Sequence, residues 1–159
     1  MKDAQTHKVC FSGGFLRRGF WLYVWEVKPP RGRKLYYVGR TGDSSSTNAQ
    51  SPFNRMGQHL GYAENSCMLR RHLRDKHHID PASCRFRLVA FGPVLPEAKT
   101  KKQHTERRNV VAALEKALAE AVGARHEVMN VVRSRQPLDQ KLFARVRRAF
   151  AAEFPEVGG

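Results

Sequence analysis

Two runs of apolar and aromatic residues, on either side of a basic turn, constrain this chain more than any other feature. The runs cover residues 21–27 and 35–39 and are rich in Trp, Tyr, Val and Leu. Such residues favour strands, whereas the prolines, glycine and cations of residues 28–34 are typical of a turn. The pattern predicts a β-hairpin.

Tyr23 and Tyr37 are the residues of this hairpin that could take part in chemistry. Side chains alternate between the two faces of a strand, so Tyr23 shares a face with Trp25, and Tyr37 shares one with Leu35. The two phenols could therefore meet on neighbouring strands. The alternative interpretation is that both tyrosines only pack within the sheet.

The charge of the chain indicates a polyanionic partner. Among its 159 residues, 29 Lys and Arg stand against 14 Asp and Glu, which gives a formal net charge of +15. The 41% of hydrophobic residues is typical of a folded domain, and no apolar run reaches the length of a membrane span. We expect nucleic acid as the partner and no membrane association; a basic protein without a nucleic-acid role is the alternative.

Residues 1–19 are predicted to form an N-terminal extension. They carry no signal-peptide pattern, so we expect a cytoplasmic protein. The three cysteines are odd in number and include no CxxC pair. This favours reduced thiols over disulfides and argues against a structural zinc site.

A short helix is predicted over residues 52–60. Ser51 is a typical N-cap, Pro52 suits the first helical position, and Gly61 is a stop signal. The side of this helix predicted to face the core carries Phe53, Met56 and Leu60.

Arg55 and His59 are predicted to project together from a neighbouring face of the same helix, because they are spaced i, i+4. Two cations placed side by side would suit a phosphate group. The alternative interpretation is that both are ordinary solvated residues.

A basic helix is predicted over residues 66–77, and a third strand over residues 85–91. Met68, Leu69 and Leu73 are expected to face inward from the helix, whose outer surface carries Arg70, Arg71, Arg74 and Lys76. The strand alternates basic with apolar residues and is expected to end at Gly92-Pro93.

One carboxylate is conspicuous on the helix predicted over residues 105–122. The apolar stripe of this helix follows the 3.6-residue period, and Glu115 lies at its margin, whereas Glu120 lies on the solvent side. A carboxylate at the edge of a core is costly to desolvate unless a cation meets it. The pattern leaves open whether that cation is an arginine or a metal ion.

A final amphipathic helix is predicted from apolar residues that recur every four positions, namely Leu138, Leu142, Val146, Phe150 and Phe154. The elements together predict an α+β fold. We expect a small three-stranded, mainly antiparallel sheet flanked by helices, with the C-terminal helix of residues 133–159 packed on the same domain.

The order of these features resembles the GIY-YIG nuclease family. Residues 37–39 read Tyr-Val-Gly and match the second half of the family signature, with Arg40 following them. Residues 21–23 read Trp-Leu-Tyr and keep only the tyrosine of the first half. Arg55 and His59 resemble the family's Arg-x-x-x-His helix.

Two later positions extend the resemblance to about residues 20–130. Glu115 lies in a segment similar to the one that carries the family's single metal-binding glutamate. Asn130 lies where a terminal asparagine is expected. The resemblance implies a GIY-YIG-like nuclease domain over residues 20–132.

The chemistry implied by the resemblance is metal-dependent hydrolysis of DNA phosphodiester bonds. Glu115 would hold one Mg²⁺ or Mn²⁺ ion, and Arg55 would stabilise charge on the phosphoryl oxygens. Tyr23 would act as general base, with Tyr37 in the same pocket and Asn130 in support. A tyrosine has an ordinary pKa of about 10, which makes it a poor base at neutral pH. The resemblance therefore also implies that nearby cations, namely Arg40, His59 and the metal ion, lower the pKa of the tyrosine.

Two basic groups are expected to contact nucleic acid. The first is Arg31, Arg33 and Lys34 of the turn, and the second is Arg70, Arg71 and Arg74 of the helix. Duplex or branched DNA is the expected substrate, RNA is an open alternative, and a partner protein is one source of specificity. A catalytically inactive nucleic-acid-binding module of the same fold and a basic assembly protein are the competing functions. The sequence leaves open the biological role, the sequence preference and the oligomeric state. It also leaves open which of the two tyrosines acts as the general base.

Overall fold

The computed structural model describes residues 3–64 and 67–158. It has an α+β fold in which a four-stranded mixed sheet lies between helices on its two faces. In chain order the elements are β1 (Phe20–Lys28), β2 (Leu35–Arg40), α1 (Pro52–Leu60), α2 (Met68–Arg71), β3 (Arg85–Leu95), α3 (Lys101–Gly123), β4 (Glu127–Val128) and α4 (Gln140–Glu153). No helix in the described ranges combines the length and the apolar character that crossing a bilayer requires.

Strand β1 occupies the centre of the sheet, whose order is β3-β1-β2-β4. It pairs antiparallel with β2, which confirms the predicted hairpin, and antiparallel with β3 on its other side. The register places Tyr23 opposite Gly39 and Trp25 opposite Tyr37. The phenols of Tyr23 and Tyr37 consequently belong to the same face of the sheet, in one buried cluster.

The prediction of three strands was wrong, because β4 pairs in parallel with the outer edge of β2. A strand of two residues is too short to produce a periodic pattern in the sequence. Asn130, just after β4, continues the pairing with its side chain: Oδ1 accepts from the Val38 N–H at 3.0 Å, and Nδ2 donates to the Val38 carbonyl at 2.6 Å. This amide satisfies main-chain groups that would otherwise need another strand.

Strand β3 was also predicted too short, since it continues through Gly92-Pro93 to Leu95. Gly92 has a φ of 156°, and a Cβ at this position would lie 2.7 Å from Cδ2 of Trp21. The missing side chain lets the strand pass directly over the Trp21 ring. The glycine that suggested a break in the sequence is what allows pairing with β1 to continue.

The two faces of the sheet build two separate apolar clusters. The first cluster is covered by α3 and α4 and takes from the sheet Phe20, Leu22, Val24, Tyr36 and Val38. The second cluster is covered by α1, α2 and the turn after α2, and takes from the sheet Tyr23, Trp25, Val27, Leu35 and Tyr37. Helices α1 and α3 therefore approach the sheet from opposite sides.

Helix α1 has the predicted bounds, with Ser51 Oγ accepting from the Asn54 N–H at its start. Met56 and Leu60 pack on the second cluster as expected, but Phe53 is exposed and contacts the ring of Phe11 instead. The helix ends one residue after His59, which is buried.

The basic helix predicted over residues 66–77 is less regular than expected. Its predicted start, Ser66, lies outside the described residues. Helix α2 is followed by a π-helical turn, His72–Lys76, which buries His72 and Leu73. Met68 was expected to face inward, but 41% of it is exposed.

Gly39 supplies the first testable consequence of this packing. The ring and hydroxyl of Tyr23 lie against its Cα, so that a Cβ would overlap them. We expect Gly39→Ala to lower the free energy of unfolding in urea by about 1–3 kcal/mol, the usual cost of overpacking. The matched control is Gly57→Ala in α1, where a Cβ meets nothing within 4 Å and the helix gains propensity. Equal stability of the two variants would contradict the tight Tyr23 contact.

Candidate active site

A hydrogen bond between a tyrosine and a histidine lies at the centre of the candidate site. Tyr23 Oη and His59 Nε2 are 2.6 Å apart and both residues are buried. The rings of Tyr23 and Tyr37 both lie edge-on to the His59 ring, with centroids 5.4 and 5.0 Å away. The structure thus brings together three of the predicted site residues on one face of the sheet.

His59 is not the solvent-facing cation that its spacing from Arg55 suggested. It is 1% exposed, and burial, with the Arg55 charge and then His72 adding to it, lowers its pKa from 6.5 to about 3. The imidazole is therefore neutral at neutral pH. A neutral ring can accept the Tyr23 proton at Nε2 or donate a proton to the phenol, according to which ring nitrogen is protonated.

The protein residues around the tyrosines do not by themselves lower the tyrosine pKa values, which were expected to fall through Arg40 and His59 together with a metal ion. Burial raises the pKa of Tyr23 well above its ordinary value, although the nearby Arg55 guanidinium opposes the shift. Burial and the charge of Glu115 raise the pKa of Tyr37 to about 12. The reason is that His59 is neutral and Arg40 is paired, which leaves Arg55 as the cation that acts on both phenols.

Arg55 is oriented by two partners. Its NH1 donates to Gln58 Oε1 at 3.1 Å, and its NH2 donates to Asp43 Oδ2 at 3.2 Å. Its buried Nε has no hydrogen-bond partner in the described ranges. The guanidinium also lies beside the Tyr23 phenol, on which its charge acts.

Asp43 was not identified from the sequence, because it lies in a polar loop without periodicity. The loop is fastened to α3 through the Ser44 carbonyl, which lies 2.7 Å from Nε2 of buried His104 and accepts from Arg108 at 3.4 Å. At the far end of the loop, Asn48 Oδ1 accepts from Arg18 at 2.9 Å. These contacts hold the Asp43 carboxylate at Arg55.

Glu115 reaches the site from α3, on the opposite side of the sheet. Its Oε2 accepts from Arg40 Nε at 2.8 Å, and both side chains are mostly buried. Of the two cations that the sequence allowed at this carboxylate, the structure shows the arginine. Burial raises the pKa of Glu115 to about 7, with the Arg40 charge acting in the opposite direction.

An open pocket of about 410 Å³ joins the two sides of the site. We call it the side pocket, and the residues that line it include Tyr37, Met68, His72, Glu115, Asn130 and Val131. No described residue donates a hydrogen bond to Oε1 of Glu115, whereas Oε2 is held by Arg40. One carboxylate oxygen is therefore available to a ligand in a pocket that also contains a phenol.

The basic residues predicted to bind nucleic acid lie in two different places. Arg33 and Lys34 form ion pairs with Glu127 and Glu26, around a cavity on the α4 side of the sheet, and Arg31 is exposed in the same turn. Arg70 lies 4.0 Å over the exposed ring of Tyr62, Arg71 pairs with Asp75 at 3.9 Å, and Arg74 is exposed. Only the second group belongs to the helical segment that borders the side pocket.

Comparisons with protein-family models, with curated proteins and with solved structures gave no match to this chain. The resemblance to GIY-YIG nucleases rests on the motif residues described above.

Acid should destabilise the protein through His59. The unfolded chain binds a proton at this residue near pH 6.5, whereas the folded chain does so only near pH 3, so the contribution of His59 to stability falls as the pH falls through this window. Glu115, whose pKa is raised to about 7, contributes in the opposite direction, and the comparison with His59→Gln isolates the histidine. The expected loss is about 1.4 kcal/mol for each pH unit in the window. Urea unfolding of the wild type and of His59→Gln at pH 7, 6, 5 and 4 measures it, with His7→Gln, an exposed site, as the control. The interpretation fails if His59→Gln keeps the wild-type pH dependence.

Proposed function

We propose that this protein is a metal-dependent endonuclease that hydrolyses DNA phosphodiester bonds with a GIY-YIG-type active site, inside the cell. The observation that carries the proposal is the convergence of residues that are far apart in the chain. Tyr23, Arg55 and His59 meet on one face of the sheet, and Tyr37 lines the side pocket together with Glu115. Packing alone gives no reason for two phenols, a guanidinium and a carboxylate to meet in one place.

Arg55 is the group that would bind the scissile phosphate. It is held in place by Gln58 on its own helix and by Asp43 of the polar loop. A positioned guanidinium stabilises negative charge that builds on phosphoryl oxygens during hydrolysis. His59 is neutral and would contribute no charge to this step. Arg55 alone would therefore supply the positive charge that the sequence assigned to Arg55 and His59 together.

Tyr23 would be the general base of the site, and His59 would be the residue that orients it. A phenol whose pKa is raised is a poor base by itself. With His59 protonated on Nδ1, its Nε2 accepts a hydrogen bond from the Tyr23 hydroxyl, at 2.6 Å, and fixes the phenol. The low pKa of His59, about 3, argues against the imidazole as the final proton acceptor. The charges of Arg55 and of a cation held by Glu115 would lower the pKa of Tyr23 and let its oxygen take a proton from the attacking water.

Glu115 fits the role of ligand for a hard divalent cation. Its carboxylate lines the open side pocket and has one oxygen without a hydrogen-bond donor in the described ranges. The described residues contain no group of three His, Cys, Asp or Glu side chains that could hold a metal. Mg²⁺ often binds through one or two carboxylates and keeps several waters, so Glu115 is sufficient as a protein anchor. When bound, the ion would neutralise charge on the phosphate and on the leaving oxygen.

A binding module without catalysis is the second candidate, and one observation favours it. Arg55 and Glu115, the two charged groups assigned to catalysis, already have partners. Arg40 pairs with Glu115, and Asp43 pairs with Arg55. A site whose charges stay paired in the complex would bind nucleic acid without cleaving it.

Substitution of Glu115 distinguishes the two candidates. We expect supercoiled plasmid to be nicked or linearised in Mg²⁺ and to stay intact in EDTA, and we expect Glu115→Gln to reduce the cleavage rate about a hundredfold or more. DNA affinity in EDTA should change little. Glu120→Gln is the matched control, because Glu120 is an exposed carboxylate on the same helix. An inactive wild type that binds DNA tightly would favour the binding module.

The proton-transfer role is tested by a comparison of tyrosines. Tyr23→Phe removes the partner of His59 and should reduce cleavage about a hundredfold or more, within the range of general acid–base catalysis. Tyr36→Phe is the matched control, because Tyr36 lies on the opposite face of the sheet, with its hydroxyl directed to Glu26 at 3.2 Å. Single-turnover cleavage rates at saturating DNA measure the effect. Equal rates for the two variants would exclude Tyr23 as the base.

A further inference from the structure

The side pocket contains features that a groove for phosphates alone does not need. Its volume of about 410 Å³ lies in the range of pockets that hold a small organic molecule. Two of the residues that line it are exposed apolar side chains: Met68 at 41% and Val131 at 78%. They belong to different chain segments, since Met68 begins α2 and Val131 follows Asn130.

Exposed apolar side chains beside a nucleic-acid site have a specific use. Bases present apolar faces when they leave the stack, and proteins contact those faces with aromatic or apolar side chains or insert such side chains between bases. A phosphodiester backbone offers no comparable surface. Met68 and Val131 therefore indicate contact with a base, at a position next to Glu115.

The charges of the pocket agree with a nucleotide as occupant. Lys76 and Arg133 line it, and neither forms an ion pair with another residue of 3–64 or 67–158. Glu115 is the only carboxylate in its described lining, and Arg40 compensates that charge. Two free cations next to an apolar contact match the phosphates and the base of one nucleotide.

His72 adds a polar ring to the lining of the pocket. It lines the pocket, it is 7% exposed, and its Nδ1 has no hydrogen bond within the described part of the chain. Its ring also contacts the ring of Tyr37, at 5.7 Å between centroids. A buried imidazole fixed in this way is suited to form hydrogen bonds with the edge of a base.

We propose that the side pocket binds a single nucleotide that has left its base stack, so that the preferred substrate is DNA with an unpaired nucleotide next to the cleaved bond. Forked, looped and single-stranded DNA belong to this class, whereas continuous duplex does not. The proposal rests on the proposed nuclease function, since it specifies the form of that enzyme's substrate.

Binding in EDTA tests the pocket independently of cleavage. The probes are a continuous duplex and a fork of the same sequence, each with 2-aminopurine at the nucleotide next to the junction, with affinity measured by anisotropy. We expect the wild type to bind the fork at least about fivefold more tightly than the duplex, the lower end of what stacking of one base contributes. The 2-aminopurine fluorescence of the bound fork should change as the base enters the pocket.

Met68→Ser combined with Val131→Ser should abolish the preference for the fork and leave duplex affinity unchanged. Val9→Ser combined with Leu16→Ser is the control, because these residues are also exposed and apolar but lie outside the pocket. The proposal is overturned if the wild type binds fork and duplex equally, or if the Met68 and Val131 variant keeps the preference. A preference without any cleavage would instead count against the nuclease function and leave the pocket assignment standing.

Discussion

The hydrogen bond between Tyr23 and His59 is the interaction on which the rest of the site depends. It joins the central strand to the last turn of α1, and it is possible only because Gly39 lets the Tyr23 ring lie against the neighbouring strand. Burial of this pair keeps the imidazole neutral and the phenol protonated. The positive charge of the site near these phenols is therefore concentrated on Arg55.

The local signals in the sequence were sufficient for the elements that carry the site. Ser51, Pro52 and Gly61 predicted the bounds of α1, and alternation along the hairpin indicated that Tyr23 and Tyr37 could meet, as they do on one face of the sheet. Each of these predictions depends on residues close together in the chain. Cap chemistry and side-chain period act at that range, so they could be read without the fold.

Other features depend on contacts between distant residues, and the sequence could not supply them. Asn130 binds Val38 across 92 positions, and Arg40 meets Glu115 across 75, so no local pattern records either contact. His59 was expected beside Arg55 in solvent, because the spacing defines a helix face but not what that face packs against. The sheet decides that His59 is buried while Arg55 keeps partners at the surface.

Two ion pairs compensate the buried charges of the site. Arg55 and Glu115 would each lose solvation on burial, and Asp43 and Arg40 offset that cost. In the proposed nuclease, a phosphate that approaches Arg55 would compete with the Asp43 carboxylate for the same donors. The affinity of that enzyme for DNA would be reduced by the energy of the pair, while the guanidinium would be ordered before binding.

The polar loop that contains Asp43 is held at both ends, and this determines where the chain can accept inserted residues. Ser44 is held to α3 and Asn48 is held by Arg18, so residues 45–47 form a short tip between two fixed points. Lengthening a surface loop between fixed ends costs little free energy, roughly 0.6 kcal/mol for each doubling. New segments could thus be inserted at this tip while the residues of α1 and α3 keep their positions, and in the proposed nuclease such segments would reach along the substrate.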